Sequence, residues 1–344
     1  MGWCETCKRS SRHCRKDAIH TSPHQARFPL LTQARSNGPS ISRRKMTVQI
    51  GVALSGGGAR GTAHIGVLKV LEEAHVPIHR LAGTSMGGVV AACYAAGRSA
   101  EEIEQFARSL RLLDIVQRDV TGQGLIGIGK IARQIREVLG GDLTFDQLRI
   151  PLALVAVDLN AGEQVVICEG SVVEGVLATM ALPPVFPPFR WRDRLLVDGG
   201  VLNPLPFDVV RELGADRVMA VQVQHVLSDW QDIEPPQGHG VEGVIRLLLF
   251  RARWTPMLHV SERSLDIMSH KLVEQRLQNA PPDLMIEIPL EGVGLFDLDA
   301  VDTCVEAGQE AARQHLADLI ALCDGPPPRP WSRWWRTVRR RLCG

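Results

Sequence analysis

The chain has 344 residues, is 45% hydrophobic and carries a formal net charge of +1 at pH 7. A chain of this length and composition can bury one large core, or one domain with appendages, and it shows no internal repeat and no transmembrane span. The charge is unevenly distributed: residues 1–45 carry ten Lys/Arg against two acidic residues, and residues 326–344 carry six Arg and no acid. Residues 46–325 hold 23 basic and 36 acidic residues, so two basic tails flank an acidic body.

The first 45 residues are rich in Ser, Arg and His and lack apolar periodicity, which is typical of a disordered extension. They match no nucleic-acid-binding fold, so nucleic acid is not expected as a partner. No metal site is expected either, because no second Cys/His pair stands at zinc-finger spacing from the group Cys4, Cys7, His13 and Cys14. No signal peptide is evident, and the other cysteines are scattered through apolar segments, which predicts a reducing cytoplasm and no disulfides.

An apolar run from Val48 to Leu54 predicts the first β-strand, and the loop Gly56-Gly57-Gly58-Ala59-Arg60-Gly61 follows it. Apolar residues then recur at helical spacing, so the order is strand, glycine loop, helix. Consecutive glycines let main-chain N–H groups converge on one point, which suits a phosphate or an oxyanion equally.

The same loop fits the dinucleotide-binding pattern G-x-G-x-x-G through Gly56, Gly58 and Gly61. That pattern also needs an acidic residue at the end of the next strand, about 20 residues on. The next strand runs through His79-Arg80-Leu81-Ala82 into Gly83 and carries no carboxylate. A dinucleotide-binding oxidoreductase is therefore the weaker interpretation of this loop.

The segment Gly83-Thr84-Ser85-Met86-Gly87 joins a short strand, 78–82, to a Gly/Ala-rich helix. Gly83 and Gly87 have no Cβ atoms, so backbone and helix can crowd around an exposed serine hydroxyl, as in a nucleophile elbow. Ser85 also stands at a helix start, where unpaired N–H groups favour negative charge. Because adjacent parallel strands bring their turns to one edge of the sheet, we expect Ser85 and the glycine loop to meet.

The remaining elements alternate as in an α/β protein. Further strands are predicted at 151–157, 164–168, 195–198, 217–223 and 284–288, with helices between most of them. Ser99 and Glu102 form a capping box that begins a helix running to about Leu110. Residues 227–282 contain a polar loop and helical stretches around 244–250 and 261–277, which either cover part of the cleft or pack as ordinary surface. Asp158 is interpreted as a turn residue rather than a second catalytic acid.

Asp198-Gly199-Gly200 follows the apolar strand residues Leu195-Leu196-Val197. A serine nucleophile needs a base, and the usual candidate is a histidine that a carboxylate orients. Two alternatives stay open: Asp198 as a turn residue, and a Ser-Asp-His triad whose histidine follows the acid. The later histidines are His225, His239, His259, His270 and His315, and only His225 follows a plausible strand.

The glycine loop, the Ser85 elbow and the Asp198-Gly199-Gly200 turn, in this order, resemble the patatin-like phospholipase family, specifically its compact bacterial members. The segments Ala181-Leu182-Pro183-Pro184-Val185-Phe186-Pro187-Pro188 and Gly200-Val201-Leu202-Asn203-Pro204-Leu205-Pro206 agree with that likeness. The match is close from about Val48 to Pro206 and looser on to Leu322. One departure is visible, since Thr179-Met180-Ala181 stands where a serine is expected before the prolines.

The resemblance implies a three-layer α/β/α fold with a mostly parallel central sheet, and a Ser–Asp dyad in which Ser85 is the nucleophile and Asp198 the base. It implies an oxyanion hole in the loop of Gly56, Gly57, Gly58, Arg60 and Gly61. The implied activity is hydrolysis of carboxylic esters in phospholipids or related lipids through an acyl-enzyme, without a metal or other cofactor. A non-catalytic regulatory or scaffold protein on the same fold is the alternative. The sequence does not indicate an oligomeric state.

The C-terminal tail, residues 326–344, begins with three prolines and then places Trp331, Trp335, Val338 and Leu342 at near-helical spacing. Arginines occupy its other faces, which is typical of a short helix lying in an anionic membrane interface. A helix packed back on the protein is the alternative. We therefore expect a disordered extension over 1–45, a catalytic domain over 46–325 and an amphipathic tail, in a cytoplasmic protein with a peripheral contact to the inner face of the membrane.

Overall fold

One eight-stranded β-sheet organises the chain in the computed structural model, which describes residues 48–110, 119, 121–225 and 254–324. Its strands are β1 Ile50–Leu54, β2 Arg80–Thr84, β3 Leu152–Asp158, β4 Glu163–Ile167, β5 Phe189–Trp191, β6 Arg194–Asp198, β7 Arg217–His225 and β8 Leu284–Leu290. They lie in the order β5-β6-β3-β2-β1-β7-β8, and β4 also pairs with β3. Neighbouring strands are parallel along the run β3, β2, β1, β7 and β8, whereas β4 and β6 run antiparallel to β3.

Helices cover both faces of this sheet. Those of the described residues are α1 Ala63–Glu73, α2 Met86–Ala95, α3 Ala100–Ser109, α4 Gly129–Leu139, α5 Val172–Thr179, α6 Phe207–Glu212, α7 Trp254–Asn279, α8 Val301–Gln314 and α9 Leu316–Cys323. Within β1, Val52 and Leu54 join one buried apolar cluster while Ala53 joins another, because successive strand residues point to opposite faces. The predicted three-layer α/β/α fold with a mostly parallel sheet is therefore confirmed.

The helix that follows the glycine loop, α1, packs unusually close to α8. A Cβ atom on Gly66 would lie 2.0 Å from the Val305 carbonyl oxygen, and one on Gly308 would lie 1.9 Å from that of Ala63. Glycine at both positions lets the two backbones touch. This contact holds α1, the helix that follows the glycine loop, against α8.

Most predicted elements agree with the structure. The predicted strand at 78–82 is found two residues later, as β2, and the capping box of α3 is present, with Glu102 N–H 3.2 Å from Ser99 Oγ. The three-residue strand β5 has no counterpart in the prediction. Asp158 is the last residue of β3, and its carboxylate caps the turn that follows by accepting the backbone N–H of Asn160 at 2.9 Å.

The cysteines require one correction. Cys93, Cys304 and Cys323 are free thiols, but Cys168 is disulfide-bonded, so the expectation of no disulfide is wrong. Its sequence context, at the end of an apolar strand, gives no signal for this bond. The predicted N-terminal extension and amphipathic C-terminal tail lie outside the described residues, as does the predicted helical stretch at 244–250. Within the described part of the chain, no helix is both long and apolar enough to cross a bilayer.

Candidate active site

The strand β3 brings the two predicted site turns together. β2 pairs with residues 152–155 of β3 in the parallel direction, and β6 pairs with residues 156–158 in the antiparallel direction. The last pairs are Thr84 with Val155 and Asp198 with Ala156. Because β2 and β6 run toward each other, the turns that follow them meet at the middle of β3.

Ser85 occupies a sharp turn between β2 and α2. Its backbone angles are φ 53° and ψ −127°, a conformation that side-chain-bearing residues rarely adopt. The glycines around it allow this close approach: a Cβ atom on Gly83 would lie 2.6 Å from the Gly87 carbonyl oxygen, and one on Gly87 would lie 2.3 Å from that of Ser55. Ser85 therefore stands on a strained, closely packed turn between a strand and a helix.

The Ser85 hydroxyl donates a hydrogen bond to Asp198, with 2.5 Å between Oγ and Oδ2. The other carboxylate oxygen accepts the N–H of Gly200 at 2.7 Å. Asp198 is only 1% exposed, and burial raises its pKa to about 6 although both hydrogen bonds act to lower it. A Cβ atom on Gly199 would lie 2.3 Å from the Val155 carbonyl oxygen, so the Asp-Gly-Gly turn fits only because this position is glycine.

The glycine loop lies beside this pair and lines the same cavity. The N–H of Gly56 is engaged with the Pro204 carbonyl at 3.0 Å, so it is not available to a ligand. The N–H groups of Gly57 and Gly58 have no hydrogen-bond partner among the described residues. Gly61 does not line the cavity and instead packs under Met86, where a Cβ atom would lie 2.6 Å from Cγ. The predicted oxyanion loop thus contains two glycines with available donors.

Arg60 is a buried cation, 1% exposed, that ties the glycine loop to α7. Its guanidinium makes a two-pronged contact with the Asp266 carboxylate at 2.9 and 3.1 Å, and Glu262 lies 3.7 Å away. Its Nε donates to the Gly57 carbonyl at 3.3 Å. Glu262 in turn accepts the N–H of Leu295 at 2.7 Å. Arg60 therefore holds the loop backbone at Gly57, and its guanidinium group contacts the carboxylates on α7.

The cavity above Ser85 has a volume of about 340 Å³. Helix α7 forms one wall, as predicted for the segment that covers the cleft. The apolar residues that line the cavity include Leu182, Pro204, Val223, Leu265, Val273 and Leu295. The polar residues that line it include Gln222, Gln224, Glu262, Ser269 and His270. The mixture suits an amphiphilic ligand rather than a wholly polar one.

Comparison with known proteins identifies a domain within this chain. Residues 52–211 match the family model described as patatin-like phospholipase. These residues form a patatin-like domain. The match spans the glycine loop, the Ser85 elbow and the Asp198 turn, and it confirms the resemblance read from those three motifs.

Relatives of the patatin-like domain extend the likeness. An uncharacterized NTE family protein of Mycobacterium bovis is 37% identical over 184 residues, which cover 53% of this chain and 51% of that protein. A second such protein from the same organism is 30% identical over 80% of this chain and 48% of its own length. The patatin-like phospholipase domain-containing protein 6 of Mus musculus is 37% identical over 182 residues, 13% of that protein. The chain thus spans about half the length of the mycobacterial relatives it matches.

A solved structure shares the fold of the patatin-like domain. VipD from Legionella pneumophila superposes with a TM-score of 0.52 over 79% of this chain and 67% of that one, at 14% sequence identity. At this level of identity, the likeness concerns the fold alone.

The histidine alternatives have different positions in the structure. His270 lines the cavity above Ser85. His315, just after the end of α8, has its Nδ1 atom 3.4 Å from Oδ2 of Asp318. The His239 position and the His225 and His259 side chains lie outside what the structure describes. Among the described side chains, the hydrogen-bond partner of the Ser85 hydroxyl is Asp198.

Two buried polar residues behind the Ser85 elbow escaped the sequence analysis. Thr179 Oγ1 accepts the main-chain N–H of Ser85 at 3.0 Å. His64 Nε2 lies 2.8 Å from the Ser55 carbonyl, to which it must donate, and burial lowers the pKa of this histidine to about 4, so its ring is neutral. No local motif marks His64. Thr179 had a signal, because it is the departure noted before the prolines.

Proposed function

We propose that the chain is a serine acyl hydrolase that cleaves carboxylic ester bonds in phospholipids or related lipids. The observation that carries this proposal is the contact between Ser85 Oγ and Asp198 Oδ2 in a cavity that also exposes a glycine loop. The family match supports the lipid class, and the mixed apolar and polar lining supports an ester with an acyl chain and a polar head.

In the proposed reaction, Asp198 removes the proton from the Ser85 hydroxyl while Oγ attacks the ester carbonyl. The alcohol part of the lipid leaves with that proton, and the acyl group stays on Ser85. Asp198 then takes a proton from water while the resulting hydroxide attacks the acyl carbon. The bond between that carbon and Ser85 Oγ breaks, the fatty acid leaves, and Asp198 returns its proton to Oγ, which restores the serine hydroxyl and the carboxylate. A pKa of about 6 suits this role, because Asp198 is ionised at neutral pH yet more basic than an exposed aspartate.

Negative charge on the ester oxygen needs fixed donors in each attack step. The N–H groups of Gly57 and Gly58 are the proposed donors, since they lack partners among the described residues and border the cavity. Removing one donor from a comparable site costs about 2.7–4 kcal/mol of transition-state stabilisation. Arg60 supports this proposal indirectly by holding the Gly57 carbonyl.

The test combines covalent labelling with turnover. The protein should react with a fluorophosphonate probe and release fatty acid from phospholipid vesicles, and Ser85→Ala should lose both activities. Asp198→Asn should lower the hydrolysis rate by about 10³-fold or more while the protein stays folded, because the base is removed and the packing is kept. Ser264→Ala is the matched control, since that hydroxyl lies on the exposed side of α7 and bonds only within the helix, to Val260.

The outcome separates an enzyme from a scaffold protein on the same fold. A scaffold would neither label nor turn over. Labelling that persists in Ser85→Ala, or an Asp198→Asn variant with most of its esterase rate, would contradict the assigned roles.

A further inference from the structure

We propose that the segment Thr179–Ala181 sets the distance between the two reacting side chains, with Thr179 as the positioning residue. This inference rests on the proposed function. On this proposal, the segment contacts neither the ester nor the proton that is transferred. Substitutions in it should nevertheless change the rate of ester hydrolysis.

The segment holds both reacting residues by their main chains. Thr179 Oγ1 accepts the N–H of Ser85 at 3.0 Å, and the Ala181 carbonyl accepts the N–H of Asp198 at 3.0 Å. These are the amides of the residues whose side chains meet at 2.5 Å. Three consecutive residues therefore act as one spacer between the two turns.

The spacer is itself fixed to the strand on which the turns converge. The Thr179 hydroxyl donates to the Val155 carbonyl at 2.5 Å, since a carbonyl only accepts, and this leaves its lone pairs to the Ser85 N–H. Thr179 is fully buried at the C-terminal end of α5. Val155 pairs with Thr84, and its neighbour Ala156 pairs with Asp198. One hydroxyl thus links the serine turn, the end of α5 and the middle of β3.

The bond matters because Ser85 is held in a costly conformation. A side-chain-bearing residue at φ 53° keeps that shape only when its surroundings over-determine it. The main-chain contacts of Ser85 are its N–H to Thr179 and its carbonyl to the N–H of Val89 at 3.1 Å. Loss of the Thr179 hydroxyl would leave the Ser85 N–H without its partner in the core, so the turn would relax and Oγ would move relative to Asp198.

The experiment compares three substitutions at this position with a soluble nitrophenyl ester as substrate. Thr179→Val keeps the shape and removes the hydroxyl, while Thr179→Ser and Thr179→Ala differ from each other only in the hydroxyl. We expect kcat to fall about 10-fold to 100-fold in the Val and Ala variants, with KM within about twofold, because misplacing a reacting group slows the chemical step. Thr179→Ser should retain most of the wild-type rate. If the Val variant does not fold, the Ser and Ala pair still isolates the hydroxyl.

Ser171→Ala is the matched control on the same helix. Ser171 caps the opposite end of α5, where its hydroxyl accepts the N–H of Glu174, so this change weakens the helix without touching the spacer. A wild-type kcat in Thr179→Ala, an equally slow Thr179→Ser, or a rise in KM alone would overturn the inference. Failure of the proposed function is separate, because it appears as an inactive wild type or as an active Ser85→Ala variant.

Discussion

Asp198 carries a carboxylate that is buried as deeply as a core side chain. Its burial affects the stability of the protein as well as the reactivity of the carboxylate. Its folded pKa is raised to about 6, above the value near 3.9 of an unfolded aspartate. Between these two pH values the folded protein binds more protons than the unfolded chain, so the free energy of unfolding falls as pH rises. The ionised form that the proposed reaction needs is therefore the form that weakens the fold.

The first prediction at the residue scale concerns Asp198→Asn. The variant cannot ionise here, so at pH 8 it should be more stable than the wild type by about 2–3 kcal/mol, and the difference should shrink toward pH 4. Urea unfolding at several pH values measures this. Asp158→Asn, which removes a carboxylate from a turn away from the cavity, controls for the lost charge. A constant difference between Asp198→Asn and the wild type at all pH values would contradict the assigned cause.

The second prediction concerns the rate. Because Asp198 must be ionised to accept the serine proton, kcat/KM for a soluble ester should rise about tenfold per pH unit below pH 6 and level off above it. The midpoint should remain near 6 in Asp158→Asn. A midpoint near 4 would mean that the base is a solvated carboxylate, and a midpoint above 7 would point to another group.

At this scale, the sequence predicted the residues that stand in turns with strong local signals. Ser85 lies between glycines and Asp198 precedes two, so both could be found without a structure. The contacts of Thr179 and His64 could not be predicted, although Thr179 is visible as a departure from the family pattern, because these contacts depend on which backbone group lies opposite a buried side chain. That contact is set by how α5 and α1 pack on the sheet, which no local pattern encodes.

At the scale of the elements, helix α7 is joined to the glycine loop through an ion pair in the interior. Arg60 is buried, and Asp266 on α7 is 19% exposed. The same helix carries an exposed pair, Lys271 with Glu274, at 70% and 49% exposure. Breaking a buried pair leaves a charge that water cannot reach, whereas an exposed charge is simply solvated.

We therefore predict that Asp266→Ala lowers the free energy of unfolding by about 3 kcal/mol and also slows turnover, because Arg60 no longer holds the Gly57 carbonyl in place. Glu274→Ala, on the same helix, should leave both quantities nearly unchanged. Denaturant unfolding and ester hydrolysis measure the two effects. Equal effects of the two substitutions would show that α7 does not support the loop through Arg60.

The elements that the sequence predicted well are those with a strong apolar pattern. Among the parallel strands, β1 and β3 are nearly continuous apolar runs, which are typical of a sheet covered on both faces. The short strand β5 could not be predicted, because three residues are too few to show a period and its pairing with β6 depends on the turn between them. The contact of α1 with α8 through Gly66 and Gly308 could not be predicted either, because an isolated glycine in a helix does not indicate which residue packs against it.

At the scale of the whole molecule, the charge distribution separates the acidic body from its basic tails. The tails lie outside the described residues, so the amphipathic reading of residues 326–344 stays a prediction. A basic, tryptophan-rich segment binds anionic lipid surfaces through both charge and apolar contact. On the proposed function, such a tail would bring the cavity near its substrate.

Deleting residues 326–344 should then reduce binding to anionic vesicles and lower hydrolysis on bilayers, with little change on a soluble ester. Vesicle co-sedimentation and the two hydrolysis rates measure this. Neutral vesicles provide the comparison, since the charge contribution is absent there. Equal losses on the bilayer and on the soluble ester would instead indicate that the tail packs against the body.

Ser85 and Asp198 stand 113 residues apart in the chain, yet they meet only because β2 and β6 both pair with β3. During synthesis, Ser85 leaves the ribosome before Asp198 does. On the proposed mechanism, a nascent or truncated chain that ends before β6 carries a serine without reactivity. Hydrolysis by this mechanism would therefore require a folded chain that extends at least through β6, which ends at residue 198 of 344.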